Sequence, residues 1–154
     1  MAPDKETIPE STIENIEKYL NELMDYFESK NIIIKTFEPS GRRRGFTDGQ
    51  KIYLREGQTL TEMLLVGFHE YAHYILHFVR EGNKVTMKRD PNYSREKMEL
   101  EAETVTYIVS QSLGIEEEIL AYSIDYLASW QRKESVIESL KSVHFVVNDL
   151  LEMF

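Results

Sequence analysis

Apolar residues recur at helical intervals over five stretches and run together over two shorter ones, a pattern that predicts a mainly helical α+β domain with a small sheet. Ile13, Ile16, Tyr19, Leu20, Leu23, Met24 and Phe27 form the stripe of a first helix, and Ser11 with Glu14 has capping-box spacing at its start. The β-branched run from Asn31 to Phe37, closed by Pro39 and Gly41, reads as a strand. KIYLRE from Lys51 reads as a second strand paired with it in a hairpin or small sheet, and GRRRGFTDGQ between them as a glycine-punctuated turn. Thr59 and Glu62 repeat the capping-box spacing, so a second helix is predicted to begin near Leu60 and end before Gly82. REGNKVTMKRDPNY follows as a charged loop. A third helix runs from near Ser94 to a stop at Gly114, and IEEEILAYSIDYLASW and ESVIESLKSVHFVVNDLLEMF supply two more. Residues 1–10, polar with two prolines, read as a flexible arm, leaving residues 11–154 as one domain.

Charge and composition narrow the function. With 154 residues and a net charge of −9, the chain lacks the clustered Lys and Arg that phosphate contacts need, so neither nucleic acid nor an anionic membrane is an expected partner. Arg42, Arg43 and Arg44 are the exception and read as a solvated loop. The absence of cysteine excludes disulfides and thiolate metal sites and fits a reducing cytoplasm, the expected location. The opening MAPDKETIPES has no apolar core or basic flank of a signal peptide, and no apolar run is long enough to span a bilayer.

The second helix carries the chemistry. FHEYAHYILH contains H-E-x-x-H as His69, Glu70 and His73. Residues four apart lie about 40° apart around a helix and roughly 6 Å along it, so the two imidazoles converge on one cation. Glu70, directly after the first histidine, stands beside that cation, where it can act as a general base toward water. Two histidines and a glutamate on an otherwise apolar helix are costly to bury without a partner, and a metal is the usual remedy. Catalytic zinc sites take three protein ligands, so a third is required. His77 lies about 12 Å along the helix from His69, too far to share the cation, and reads as a hydrogen-bond partner of a ligand or a packed histidine. His144, on an apolar helix, reads as core. On the third helix, Val105, Ile108, Val109, Leu113 and Ala102 mark the core side. Glu99 lies near that side and is the first choice of ligand; Glu103, one turn on, is an alternative ligand or a hydrogen-bond partner of a ligating histidine. Glu96 and Glu101 are assigned to a solvated face.

HEYAHYILH followed by ELEAETVTYIV resembles the ImmA/IrrE family of metallopeptidases, and gluzincins more generally. The segment AYSIDYLASWQRKESVIESLKSV looks most like the ArdC branch of antirestriction and conjugative-element proteins. The resemblance covers roughly residues 45–150 and implies a minimal zincin-like domain, its small sheet packed against the H-E-x-x-H helix. It implies His69, His73 and Glu99 as ligands of Zn²⁺, with Mn²⁺ or Fe²⁺ as substitutes on similar donors. Glu70 would be the general base. VSQSLG stands where repressor-cleaving members carry a Leu-Leu-Met-Pro-like ending, and no helix-turn-helix segment is legible.

The expected activity is zinc-dependent endopeptidase-like cleavage of a specific protein or peptide substrate, with a DNA-binding regulator and a link to a mobile element as the narrower expectation. Among Tyr93, Tyr107, Tyr122 and Tyr126, Tyr126 in YLASW is preferred as oxyanion donor, and Trp130 as core. The Lys51–Leu54 strand is the expected edge for an extended substrate. Two other readings compete: a non-catalytic antirestriction or regulatory binding module with a structural metal, and a helical protein without metal.

Overall fold

The computed structural model describes residues 11–12, 14–39, 41–89, 93–130 and 139–154, excluding the side chains of Tyr122, Tyr126, Ser129 and Trp130. The predicted arm, residues 1–10, lies outside the described residues. In chain order the elements are α1 (Ile16–Ser29), β1 (Ile33–Phe37), β2 (Gly45–Thr47), β3 (Lys51–Arg55), α2 (Leu60–Leu76), β4 (Phe78–Glu81), β5 (Lys84–Met87), α3 (Arg95–Ser112), α4 (Ala121–Trp130) and α5 (Leu140–Met153). The mainly helical α+β class follows directly from this order.

The helix carrying H-E-x-x-H is the centre. Leu64, Phe68, Tyr71 and Ala72 on α2 are fully or almost fully buried, and α1, α3, α5, β2 and β3 pack around it. Leu23 and Phe27 come in from α1, Ile52 and Leu54 from β3, Val105 and Val109 from α3, and Val146 and Leu150 from α5. Each such side chain contributes about 1.5–3 kcal/mol by leaving water. Tyr71 and Tyr26 both donate their hydroxyls to Asp149, which ties α5 to α1 and α2. Burial and the Asp149 carboxylate raise the pKa of Tyr71, so its proton stays on the donor.

The fourth helix starts at Ala121 instead of near Ile115, the residues before it forming turns, and three further elements differ from the sequence expectation. The sheet has the order β1-β3-β2, with β1 parallel to β3 from Ile33↔Lys51 to Phe37↔Arg55, and β2 antiparallel to β3. The first strand and KIYLRE therefore form no hairpin: the chain crosses to the far edge, makes β2 inside the expected turn, and returns to the middle. The central position suits β3, whose Ile52 and Leu54 are wholly buried. It also excludes Lys51–Leu54 as a docking edge, since both sides of β3 are already paired. Within the expected charged loop, β4 and β5 form an antiparallel hairpin around Gly82, which has φ +61. The Gly82–Asn83 pair is a two-residue hairpin signal and Lys84–Met87 alternates polar with apolar, but Phe78–Glu81 does not, and both strands are mostly exposed. Finally, α1 starts at Ile16; the Ser11 N–H donates to Thr61 Oγ1 at 2.9 Å and its hydroxyl donates to Glu116, anchoring the chain entry instead of capping a helix.

Candidate metal centre

The site is set by how α2 begins. Thr59 caps the helix by accepting the Glu62 N–H at 3.1 Å. The Glu62 carboxylate, fully buried, meets Arg44 Nε at 3.0 Å. Arg44 thus belongs to the interior and not to a solvated loop, a correction explained by the carboxylate that needs it; Arg42 and Arg43 are exposed. This pair draws the start of β2 onto α2. Gly45 permits the approach: a Cβ there would lie 2.5 Å from Val66 Cγ1 and 3.3 Å from Glu70 Cγ.

One turn further along, three donors converge. His69 Nε2 lies 3.0 Å from Glu99 Oε2, His73 Nε2 3.2 Å from Glu99 Oε1, and the two Nε2 atoms 3.2 Å from each other. Zinc bonds of about 2.0–2.1 Å in tetrahedral geometry place ligand atoms about 3.3 Å apart, so this triangle fits three corners of a zinc site. Glu99 is the most exposed member, at 43% of its side chain, and opens the cluster to solvent.

The other imidazole nitrogens are also engaged. His69 Nδ1 lies 3.2 Å from Glu103 Oε2, and Ser123 donates its hydroxyl to the same carboxylate. His73 Nδ1 lies 2.7 Å from His77 Nδ1, and His77 Nε2 is 2.8 Å from Glu101 Oε1, which also accepts the Tyr93 hydroxyl. One proton arrangement satisfies this chain with both Nε2 lone pairs left for a cation: His73 donates to His77, and His77 donates to Glu101.

Electrostatics matches the geometry. Burial pushes His73 down to about 4, leaving it a neutral donor. Burial also works against a charged His69, but hydrogen bonds to Glu103 and Glu99 outweigh it and raise its pKa well above the ordinary value. Glu99 is held below the usual carboxylate range, because its bonds to His69 and His73 overcome the cost of burial. Burial pushes Glu70 up to about 7.

Glu70, His73, His77 and Glu99 line a cleft of about 230 Å³ together with Gly45, Phe46 and Thr47 of β2 and Phe78 and Met87 of the second hairpin. The third helix corrects one assignment. Glu101, placed on a solvated face, is 2% exposed. Its bonds to His77 and Tyr93 outweigh burial and keep its pKa below the usual range. A buried acid with these partners counts with the core, which widens the inward face of α3 beyond its apolar stripe. Tyr93 is consequently committed to Glu101 and unavailable as an oxyanion donor, and Tyr107 is half-buried against the core. His144 is exposed and bonded to Asn148 at 3.0 Å, because α5 turns that face to solvent and buries Val143, Val146 and Val147. The Tyr126 and Trp130 side chains lie outside the described residues. Sequence reasoning missed the Glu101–Tyr93 pair and Gly45: an acid two residues past a ligand gives no sign of burial, and a glycine between two strand-like runs reads as a turn.

An H-E-x-x-H helix against a small sheet, with a glutamate of the next long helix at the same cluster, defines a zincin-like metallopeptidase domain. Among protein-family models, that of the IrrE N-terminal-like domain (Peptidase_M78) matches residues 14–141, and the chain belongs to this metallopeptidase family. Comparison with curated proteins and with solved structures gave no match. No helix among the described residues is long and apolar enough to cross a membrane.

Proposed function

We propose that this chain is a zinc-dependent endopeptidase-like protein that hydrolyses a peptide bond in a specific protein substrate. The observation that carries the reading is the opening of Glu70 and two of the three converging donors, His73 and Glu99, into one cleft beside β2, the edge strand of the sheet. His69, His73 and Glu99 would hold the cation, and Glu103 and His77 would fix the two rings so that each presents Nε2. When bound, the cation supplies Lewis-acid polarisation of the scissile carbonyl and lowers the pKa of water. Glu70 takes a proton from the attacking water and passes it to the leaving amine, a task suited to a carboxyl whose pKa lies near neutrality. The substrate main chain would pair with the outer edge of β2, since β3 is already paired on both sides. A regulator of a mobile element remains the narrower candidate substrate, and the cytoplasm the proposed location.

The test is a peptide-library digest with zinc-loaded protein, using Glu70→Gln as the control. Sites cut by the parent and spared by the variant support the reading; no cleavage by the parent at any site counts against it and favours a binding module.

The histidine chain makes a separate prediction. His77→Phe removes the acceptor of His73 Nδ1 while keeping an aromatic ring at the position, and zinc affinity is expected to fall about 10- to 100-fold. Competition titration against a chromophoric chelator measures it. Unchanged affinity in a folded variant would mean that His73 is oriented by other means.

A further inference from the structure

The cleft has a basic rim in an acidic chain. Arg43 lines it from the side of β2, and Arg95 from the side formed by β5 and α3. Both side chains are exposed, yet each rests on a defined support: the Arg43 guanidinium lies 4.6 Å over the Phe46 ring, and Arg95 Nη1 lies 3.3 Å from the Met87 sulfur. Among the described residues neither guanidinium has a carboxylate within ion-pair distance. Nearby arginines are committed elsewhere, Arg44 to Glu62 and Arg80 to the carbonyls of Gly49 and Tyr74. The ammonium groups of Lys88 and Lys97 each lie 5.6 Å from the Tyr93 ring centroid and add positive charge at the β5–α3 side. The chain carries 27 acidic against 18 basic side chains, yet among the described residues none pairs with these two arginines at the mouth of the cleft.

A guanidinium takes a carboxylate through two parallel N–H bonds, and supports such as Phe46 and Met87 reduce the rotamer freedom lost on binding. From this geometry we propose that the cleft selects an acidic peptide segment, with substrate carboxylates meeting Arg43 on one wall and Arg95 on the other. This specificity rests on the peptidase reading of the site. Simple attraction to the whole protein cannot mimic it, because a net charge of −9 repels an acidic peptide and draws in a basic one.

The experiment uses the full chain as zinc-loaded Glu70→Gln, which cannot consume its ligand. Two fluorescein-labelled, end-blocked Ala-rich decapeptides, one with paired Glu and one with paired Lys flanking a central Leu-Ala, are titrated by fluorescence anisotropy at low salt. The Glu peptide is expected to bind at least about fivefold tighter, as two partly exposed charge-assisted contacts would give. The preference is expected to vanish in Arg43→Gln/Arg95→Gln and at about 0.5 M NaCl. Equal binding, a Lys preference or binding of neither peptide overturns the proposal. So does a preference that survives in the double variant, because the donor cluster would then be its source. The parent's library digest keeps the two readings apart: an acidic preference without cleavage sinks the peptidase and leaves an acidic-peptide cleft, whereas cleavage without the preference sinks the specificity alone.

Discussion

Glu70→Gln is expected to lower cleavage of any peptide cut by the zinc-loaded parent by about 10²- to 10⁴-fold, with zinc stoichiometry unchanged. Glutamine keeps the shape and hydrogen-bonding reach of the side chain but cannot accept the proton of water. The side chain is 6% exposed, beside Val66 and the Gly45 backbone, so its orientation is set by packing that the substitution leaves in place. Neutralising a carboxyl whose pKa burial already raises adds no buried charge, and the variant is expected to be at least as stable as the parent. Initial rates on a cut library peptide, paired with elemental analysis of the same preparations, give the answer. Loss of zinc together with rate would place Glu70 among the ligands, and an unchanged rate would remove it from the chemistry.

The largest effect on stability is expected at Arg44. Arg44→Met leaves the Glu62 carboxylate in the interior without its 3.0 Å partner, and breaking a buried ion pair from one side costs about 3–5 kcal/mol. For a chain of this size the melting temperature is expected to drop by about 10 °C. Arg44→Met/Glu62→Leu removes both charges and is expected to recover most of that loss, because the same principle makes a well-packed apolar pair nearly neutral. Calorimetric melting of the single and double variants distinguishes this from a surface contact, for which both would melt within about 2 °C of the parent. Since the pair sets where β2 meets the start of α2, the single variant is also expected to loosen the edge that frames the cleft.

Legibility of the fold in the sequence divides along physical lines. Helices α2 and α3 were readable because a 3.6-residue apolar period coincides with Thr59 and Ser94, both of which accept N–H groups as caps. The convergence of His69, His73 and Glu99 followed from helix spacing for the two histidines and from the apolar stripe of α3 for the glutamate. The sheet was less legible. β2 has only three residues, and its half-buried Gly45-Phe46-Thr47 gives no alternation to distinguish a strand from a turn. A parallel β1–β3 pair joined through an intervening edge strand has no local signature, whereas a hairpin does. Burial of Glu62 and Glu101 was equally hidden, since acids ordinarily face water and the partners that make these two exceptions, Arg44 and His77, lie 18 and 24 residues away in the chain.

The most direct test of the central claim is the zinc content of protein purified without chelator, measured by elemental mass spectrometry on the parent and on His69→Ala, His73→Ala and Glu99→Ala. The expected result is close to one equivalent in the parent, with loss in each variant while circular dichroism still shows the helical fold. A parent that stays metal-free after zinc is offered, or variants that retain the parent's full equivalent, would contradict the assignment of this cluster as a metal centre.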